Sequence, residues 1–163
     1  MRLKMRFLNF FKSKKIEKRI CEEEAHSHDG LKNIVSPTNK MIKMQLMLTP
    51  MVDVAIQDIF EDIYFLGYFY GIHDAAFQFS GKRKPVHEMY SIYIYAIADF
   101  ANMTHPEVSK KYADKLMGLM LKITENESNP IFQEAQLIAG KEYYYLMEGK
   151  TKSLSGLITH YLM

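Results

Sequence analysis

The chain has 163 residues, 48% of them apolar and 25% charged, with a formal net charge of +2. That length fits one domain able to bury about 70% of its unfolded-state surface, and the composition excludes wholesale disorder. A lone cysteine, Cys21, excludes an intrachain disulfide framework and a zinc site built from cysteines, so a reducing, cytoplasmic setting is expected.

Charge is spread unevenly. Residues 1–20 hold eight basic side chains against Glu17 alone, a balance of +7, which leaves −5 for the remainder. Leu3, Phe7, Phe10 and Phe11 fall on one side at helical spacing, with Lys4, Arg6, Lys14 and Lys15 elsewhere. A helix of that kind lies in the headgroup region of anionic membranes. Each basic residue near such a surface contributes about 1 kcal/mol, and each buried Phe or Leu roughly 1.5–3 kcal/mol. The same apolar side chains would equally dock on the body of the protein. We expect a basic amphipathic arm over residues 1–27, with residues 1–20 meeting either the bundle or the inner face of a membrane. MRLKMR has the charge of a signal n-region, but FLNFF is too short for the apolar stretch that should follow, so no secretory leader is expected. No uncharged run approaches the roughly 18 residues of a membrane span.

Next comes CEEEAHSHDGLKNIVSPTNK, residues 21–40, where Gly30, Ser36-Pro37 and polar clusters interrupt any periodicity. Residues 28–39 therefore read as a linker, leaving 40–163 as the main domain. KMIKMQLML, residues 40–48, is expected to form a short helix, and its Met41, Met44 and Met47 give an adaptable apolar edge.

Prolines punctuate the rest. Thr49-Pro50, Lys84-Pro85, His105-Pro106 and Asn129-Pro130 each precede a segment of helical periodicity, and proline suits the first turn of a helix because its missing N–H has no partner there. Thr104 and Glu107 form the pattern of a capping box. In segment 50–79, Val52, Ile56, Ile59, Ile63, Leu66, Tyr70, His73 and Phe77 alternate spacings of three and four, the stripe of a core-facing helix. Segment 85–102 does the same with Val86, Tyr90, Tyr93, Ile97 and Phe100, and segment 106–124 with Val108, Tyr112, Leu116, Leu119 and Ile123. Segment 130–148 offers Ile131, Ala135, Ile138 and Tyr145, ending near Gly149, and a short helix over about 153–162 would pack Leu154, Leu157, Ile158 and Tyr161. The alternating SIYIYAIADF, residues 91–100, is the nearest approach to a strand, but its proline-led start and later spacing favour helix. The expected fold is all-α, a single-domain bundle of about five to six helices with a basic arm.

FLGYFYGIHDAA, residues 65–76, is the most unusual stretch. Gly67, Gly71 and Ala75 recur every four residues and form a helix-packing groove that lets a neighbouring backbone approach closely, within the chain or across a homodimer. Each glycine costs about 1 kcal/mol against alanine in a helix, so something close must lie against that row. A single helix over 50–79 would span about 45 Å, and a bend is expected. His73 lies on the apolar stripe and Asp74 about 100° round from it, so the two cannot pair directly. The expected role of His73 is a neutral core histidine hydrogen-bonded to tyrosine or backbone. His73 and Asp74 remain the only weak catalytic candidates.

Other chemistry is missing. A di-iron bundle needs two inward Glu-x-x-His motifs, and only Glu23–His26 fits. His87-Glu88 is not followed by the second histidine of a zinc protease, and no phosphate-binding glycine loop or nucleophile elbow occurs. The acidic cluster Glu22, Glu23, Glu24, His26, His28 and Asp29 reads as solvated, so neither metal nor cofactor is expected. Acidic neighbours also disfavour a reactive thiolate at Cys21. The arm would add phosphate affinity, but a net acidic body without a basic helix face points away from nucleic acid, and Lys82-Arg83-Lys84 is expected to cap the carbonyl end of the preceding helix.

What remains is an abundance of tyrosine and methionine, 11 and 12 residues without a tryptophan. Tyr143, Tyr144 and Tyr145 occupy consecutive helix positions, so at least one must face outward, where tyrosine favours interfaces. The reading is a non-enzymatic helical protein-binding module, concretely an inhibitor of immunity or antitoxin type. It would occlude a toxin or effector protein through Tyr143, Tyr144, Tyr145, Glu142 and Glu148. Two alternatives stand beside it: a membrane-surface adaptor acting through the arm, and a small enzyme or ligand-binding bundle centred on His73 with Asp74 or Tyr70.

Overall fold

In the computed structural model, residues 30–104 and 113–163 are described. Every regular element among them is helical, which makes the fold an all-α bundle. The helices are α1 (30–46), α2 (Ile56–Ile59), α3 (Ile63–Phe79), α4 (Val86–Thr104), α5 (Ala113–Asn126), α6 (Pro130–Met147) and α7 (Gly156–Leu162), with a 3-10 turn over Pro50–Asp53. A compact unit runs from Ile34 to Met163. No helix among the described residues is long and apolar enough to cross a membrane. The arm, the acidic cluster, Cys21 and the Thr104–Glu107 capping box reach into or lie within residues outside the described ones.

Two expectations about element boundaries change. Residues 30–39, read as part of a linker over 28–39, are helical and continuous with 40–46. Proline inside a helix costs about 3 kcal/mol, and Pro37 sits there. Burial of Val35, Ile42 and Leu46 outweighs that cost at roughly 1.5–3 kcal/mol each. Asn39 adds a polar tie, its Nδ2 donating to Ala96 O at 2.9 Å and to Asp99 Oδ2 at 2.9 Å on α4. Local polarity suggested a linker, and tertiary contact made a helix.

The single bent helix expected over 50–79 is instead three pieces. Thr49 caps the 3-10 turn, accepting from Met51 N at 3.2 Å. Asp62 starts α3 afresh, its Oδ1 accepting from Tyr64 N at 2.8 Å and Phe65 N at 3.4 Å. A carboxylate at the N-cap satisfies orphan amides and favours a new helix start. That chemistry overrode the apolar stripe running through it.

α3 is the central element, buried around most of its circumference from Tyr64 to Phe77. On one side Phe60, Phe65, Phe69 and Phe100 form an aromatic cluster. The Phe60 ring meets Phe65 at 5.2 Å, Phe69 at 5.3 Å and Phe100 at 6.0 Å, all near edge-on, the geometry that aromatic quadrupoles favour. On the other side α3 packs closely on α6. The buried positions of α6 are Phe132, Ala135, Ala139 and Tyr143, while Ile131 and Tyr145, placed on the core stripe by periodicity, are exposed.

Candidate binding surface

The glycine row is internal. A Cβ at Gly67 would lie 2.9 Å from Phe132 Cα and press on its carbonyl, and one at Gly71 would lie 2.7 Å from Gln136 Cα. A step of four residues on α3 meets a step of four on α6, so the α6 backbone fills the groove. Ala75 continues the row, buried. This seam positions α6 and holds no free surface along Gly67.

His73 is fully buried on α3. Its Nδ1 lies 2.8 Å from the carbonyl of Phe69, one turn earlier, and must carry the proton because a carbonyl only accepts. Nε2 is therefore an acceptor, buried and without a hydrogen-bond partner among the described residues. Burial away from water pushes the imidazole pKa down to about 4, against a smaller upward pull from the Phe69 carbonyl. The histidine is thus neutral and packed, its ring 4.4 Å from that of Phe69.

Asp74 faces elsewhere. Its Oδ1 accepts from Arg83 Nε at 2.9 Å and its Oδ2 from Gln78 Nε2, so both oxygens are engaged. Arg83 thus ties the α3–α4 turn back to α3, a firmer role than the carbonyl capping expected of Lys82-Arg83-Lys84. Asp74 borders a cleft of about 540 Å³ with Gly71, Gln78, Gln136, Lys141 and Tyr144 among its walls. His73 does not reach that cleft, so the structure does not bring the two candidates together.

The α6 residues singled out as partner contacts are divided by their surroundings. Tyr143 is buried against Phe79, ring centroids 6.3 Å apart. Tyr144 is half-buried, 5.8 Å from Phe79 in edge-on contact. Tyr145 alone is exposed, with Lys141 and Lys150 ammonium groups each 5.5 Å from its ring centre. Glu148 caps α6 and pairs with Lys150 Nζ at 2.6 Å.

Glu142 is occupied internally. Its Oε1 accepts from Ser155 N and Oγ at 3.1 and 3.0 Å, and its Oε2 from Gly156 N at 3.0 Å and Tyr68 Oη at 2.7 Å. Burial first and the Glu142 carboxylate second hold the Tyr68 phenol far above its ordinary range. Gln45 closes the network, donating to Tyr68 Oη at 2.9 Å and accepting from Leu157 N at 3.1 Å. Through these bonds α1, α3 and α6 hold the start of α7.

That anchoring builds a surface that sequence periodicity only half disclosed. Met41, Met44, Met47 and Leu48 form one wall of a groove of about 520 Å³, and Leu146, Leu154 and Ile158 help form the other. Met44, Met47 and Leu48 are 66%, 59% and 66% exposed. The methionine spacing marked the first wall. Leu48 and the α7 wall depend on how Glu142 and Gln45 dock a distant segment, which no local pattern encodes. No group of three or more His, Cys, Asp or Glu that could hold a metal occurs among the described residues.

Compared with known proteins, the chain matches no family model, no curated sequence and no solved structure.

Proposed function

We propose that this chain is a non-enzymatic helical protein-binding module whose binding face is the groove between the end of α1 with the turn that follows it and the segment that leads into α7. The observation that carries the reading is three large apolar side chains held in water, Met44, Met47 and Leu48, beside a concave apolar cavity. Single exposed apolar residues are ordinary, whereas a contiguous set around a groove marks an interaction site. Methionine suits such a face because its unbranched thioether repacks around a partner. The neutral, enclosed state of His73 and the full engagement of Asp74 fit the same reading. The concrete form we favour is an immunity or antitoxin-type inhibitor working in the cytoplasm, which occludes an effector protein by lodging part of it in the groove. Tyr145 and Glu148 would then contribute at a rim, and Tyr143 and Glu142 would act by supporting the face.

The test is affinity capture from native lysate with the full chain and with a Met44→Ser/Leu48→Ser variant, read by mass spectrometry. One stoichiometric protein retained by the wild type and lost by the variant supports the reading. A partner held equally by both removes the groove from the function.

A further inference from the structure

The groove carries a charge pattern that specifies its occupant. From Ile34 to Val52 the chain contains two lysines, Lys40 and Lys43, and no acid. Lys40 is exposed and stands four residues before Met44, on the same side of α1. Lys43 is not part of the groove, its ammonium donating to the Met103 carbonyl of α4 at 3.1 Å. On the opposite wall Lys152 lines the groove and is exposed. The acids near that wall are already used: Glu148 is paired with Lys150, and Glu142 has both oxygens engaged at the start of α7. The result is an apolar floor with Lys152 on one wall and Lys40 a helical turn before Met44 beside the other.

Resting on the protein-binding reading above, we propose that the groove takes an amphipathic helix of the partner. That helix has Leu, Met or Phe at positions i, i+3 or i+4, and i+7, with Glu or Asp flanking this stripe. The geometry points to a helix because the wall from Met41 through the turn at Leu48 offers apolar side chains over eight residues, about the length over which i to i+7 anchors repeat. Concavity points to inserted side chains and away from a flat lipid surface. The lysine rim selects acidic flanks, since like charges across an interface are strongly disfavoured.

The experiment uses the full chain and two fluorescein-labelled synthetic helical peptides, each about five turns long. Both carry the same Leu/Phe stripe; one is flanked by Glu and the other by Lys. Anisotropy titration is expected to show the Glu peptide binding at least about tenfold more tightly than the Lys peptide, with the preference shrinking in high salt. A Lys40→Glu/Lys152→Glu variant should reverse the order. Residues 1–20 carry +7 and would attract any acidic peptide, so binding must also fall about tenfold in Met44→Ser/Leu48→Ser. These positions are exposed, and circular dichroism will show both variants folded.

Equal binding of the two peptides, binding of neither, or acidic-peptide binding unchanged in the groove variants overturns the proposal. So does sedimentation with phosphatidylglycerol vesicles that the groove variant loses, which would assign the face to lipid. Self-association lost in that variant would assign it to a second copy. If the captured partner is lost by the groove variant while neither peptide binds, the protein-binding reading stands and the acidic helix falls. If the partner ignores the groove variant, the reading itself fails.

Discussion

Two faces of this bundle use unusual side chains in opposite ways. Along α3 the chain removes side chains altogether, at Gly67 and Gly71, so that the backbone of α6 can press in. Along the end of α1 and the turn after it, the chain leaves large side chains, Met44, Met47 and Leu48, mostly uncovered by the described residues. Glycine inside a helix sacrifices local stability for a tertiary contact, and exposed methionine leaves apolar surface in water with little contact in return among the described residues. A buried glycine row is accounted for by folding alone. An exposed apolar row needs an occupant beyond the described residues, which is why the first is read as architecture and the second is proposed as function.

Substitutions separate the two faces by size of effect. The Gly67→Ala/Gly71→Ala double variant should suffer most, because each new Cβ meets backbone that can yield only if α6 shifts. Overpacking costs about 1–3 kcal/mol per site, the upper end applying where a Cβ meets backbone as here, less about 1 kcal/mol each for better helix propensity. We expect a net loss of about 4 kcal/mol, and thermal melting lowered by roughly 8–16 °C. A variant as stable as the wild type would mean that the seam is not closed. Glu142→Ala comes next, at about 2–3 kcal/mol, because it strands the Tyr68 hydroxyl and frees the first amides of α7. Hydrogen exchange should show α7 opening before the α3–α6 seam, and uniform protection in the variant would remove Glu142 as the anchor.

His73 gives an effect of similar order but governed by pH. Its folded pKa of about 4 lies below the ordinary value of 6.5, so below pH 6.5 the unfolded chain takes up a proton that the folded one refuses. Stability therefore falls as pH drops from 6.5 towards 4 and levels off below. Between pH 7 and 5 this group alone should remove about 2 kcal/mol. His73→Leu should flatten that part of the pH profile in denaturant titrations, with no comparable loss at pH 7. Identical profiles for wild type and variant would show that His73 is hydrated.

The physical origin of each feature explains how much of it could be read beforehand. The all-α class was legible because helical spacing and proline-led starts are local, and α4, α6 and α7 begin within a few residues of the expected positions. The glycine row was legible as a close-contact surface, since no other residue permits that approach, but its partner on α6 was not. α1 was missed over 30–39 because Pro37 and its polar neighbours are locally unfavourable. Their compensation comes from Val35, Asn39 and Ile42, whose contacts lie elsewhere in the chain. Tyr143 to Tyr145 required one outward tyrosine, and Tyr145 is it. Glu142 looked like a surface acid because its four donors come from Tyr68, Ser155 and Gly156, which only the folded chain assembles.

The smallest effect on stability is the most informative for function. Met44→Ser/Leu48→Ser changes side chains that are each 66% exposed and should move folding stability by no more than about 0.5 kcal/mol. Replacing apolar surface with hydroxyls could even improve solubility, because the folded chain loses few contacts and sheds an exposed patch. If the groove is a binding face, that nearly silent change should still weaken partner binding by at least about 2 kcal/mol, a ratio that only an interface produces. A stability loss several times larger would show that the methionine edge is core covered by chain outside the described residues, and the comparison between the two faces would collapse into one of packing alone. Measuring the melting curve and the partner affinity on the same preparation separates these cases, because burial within the chain and burial in a complex draw on the same apolar area but report it in different experiments.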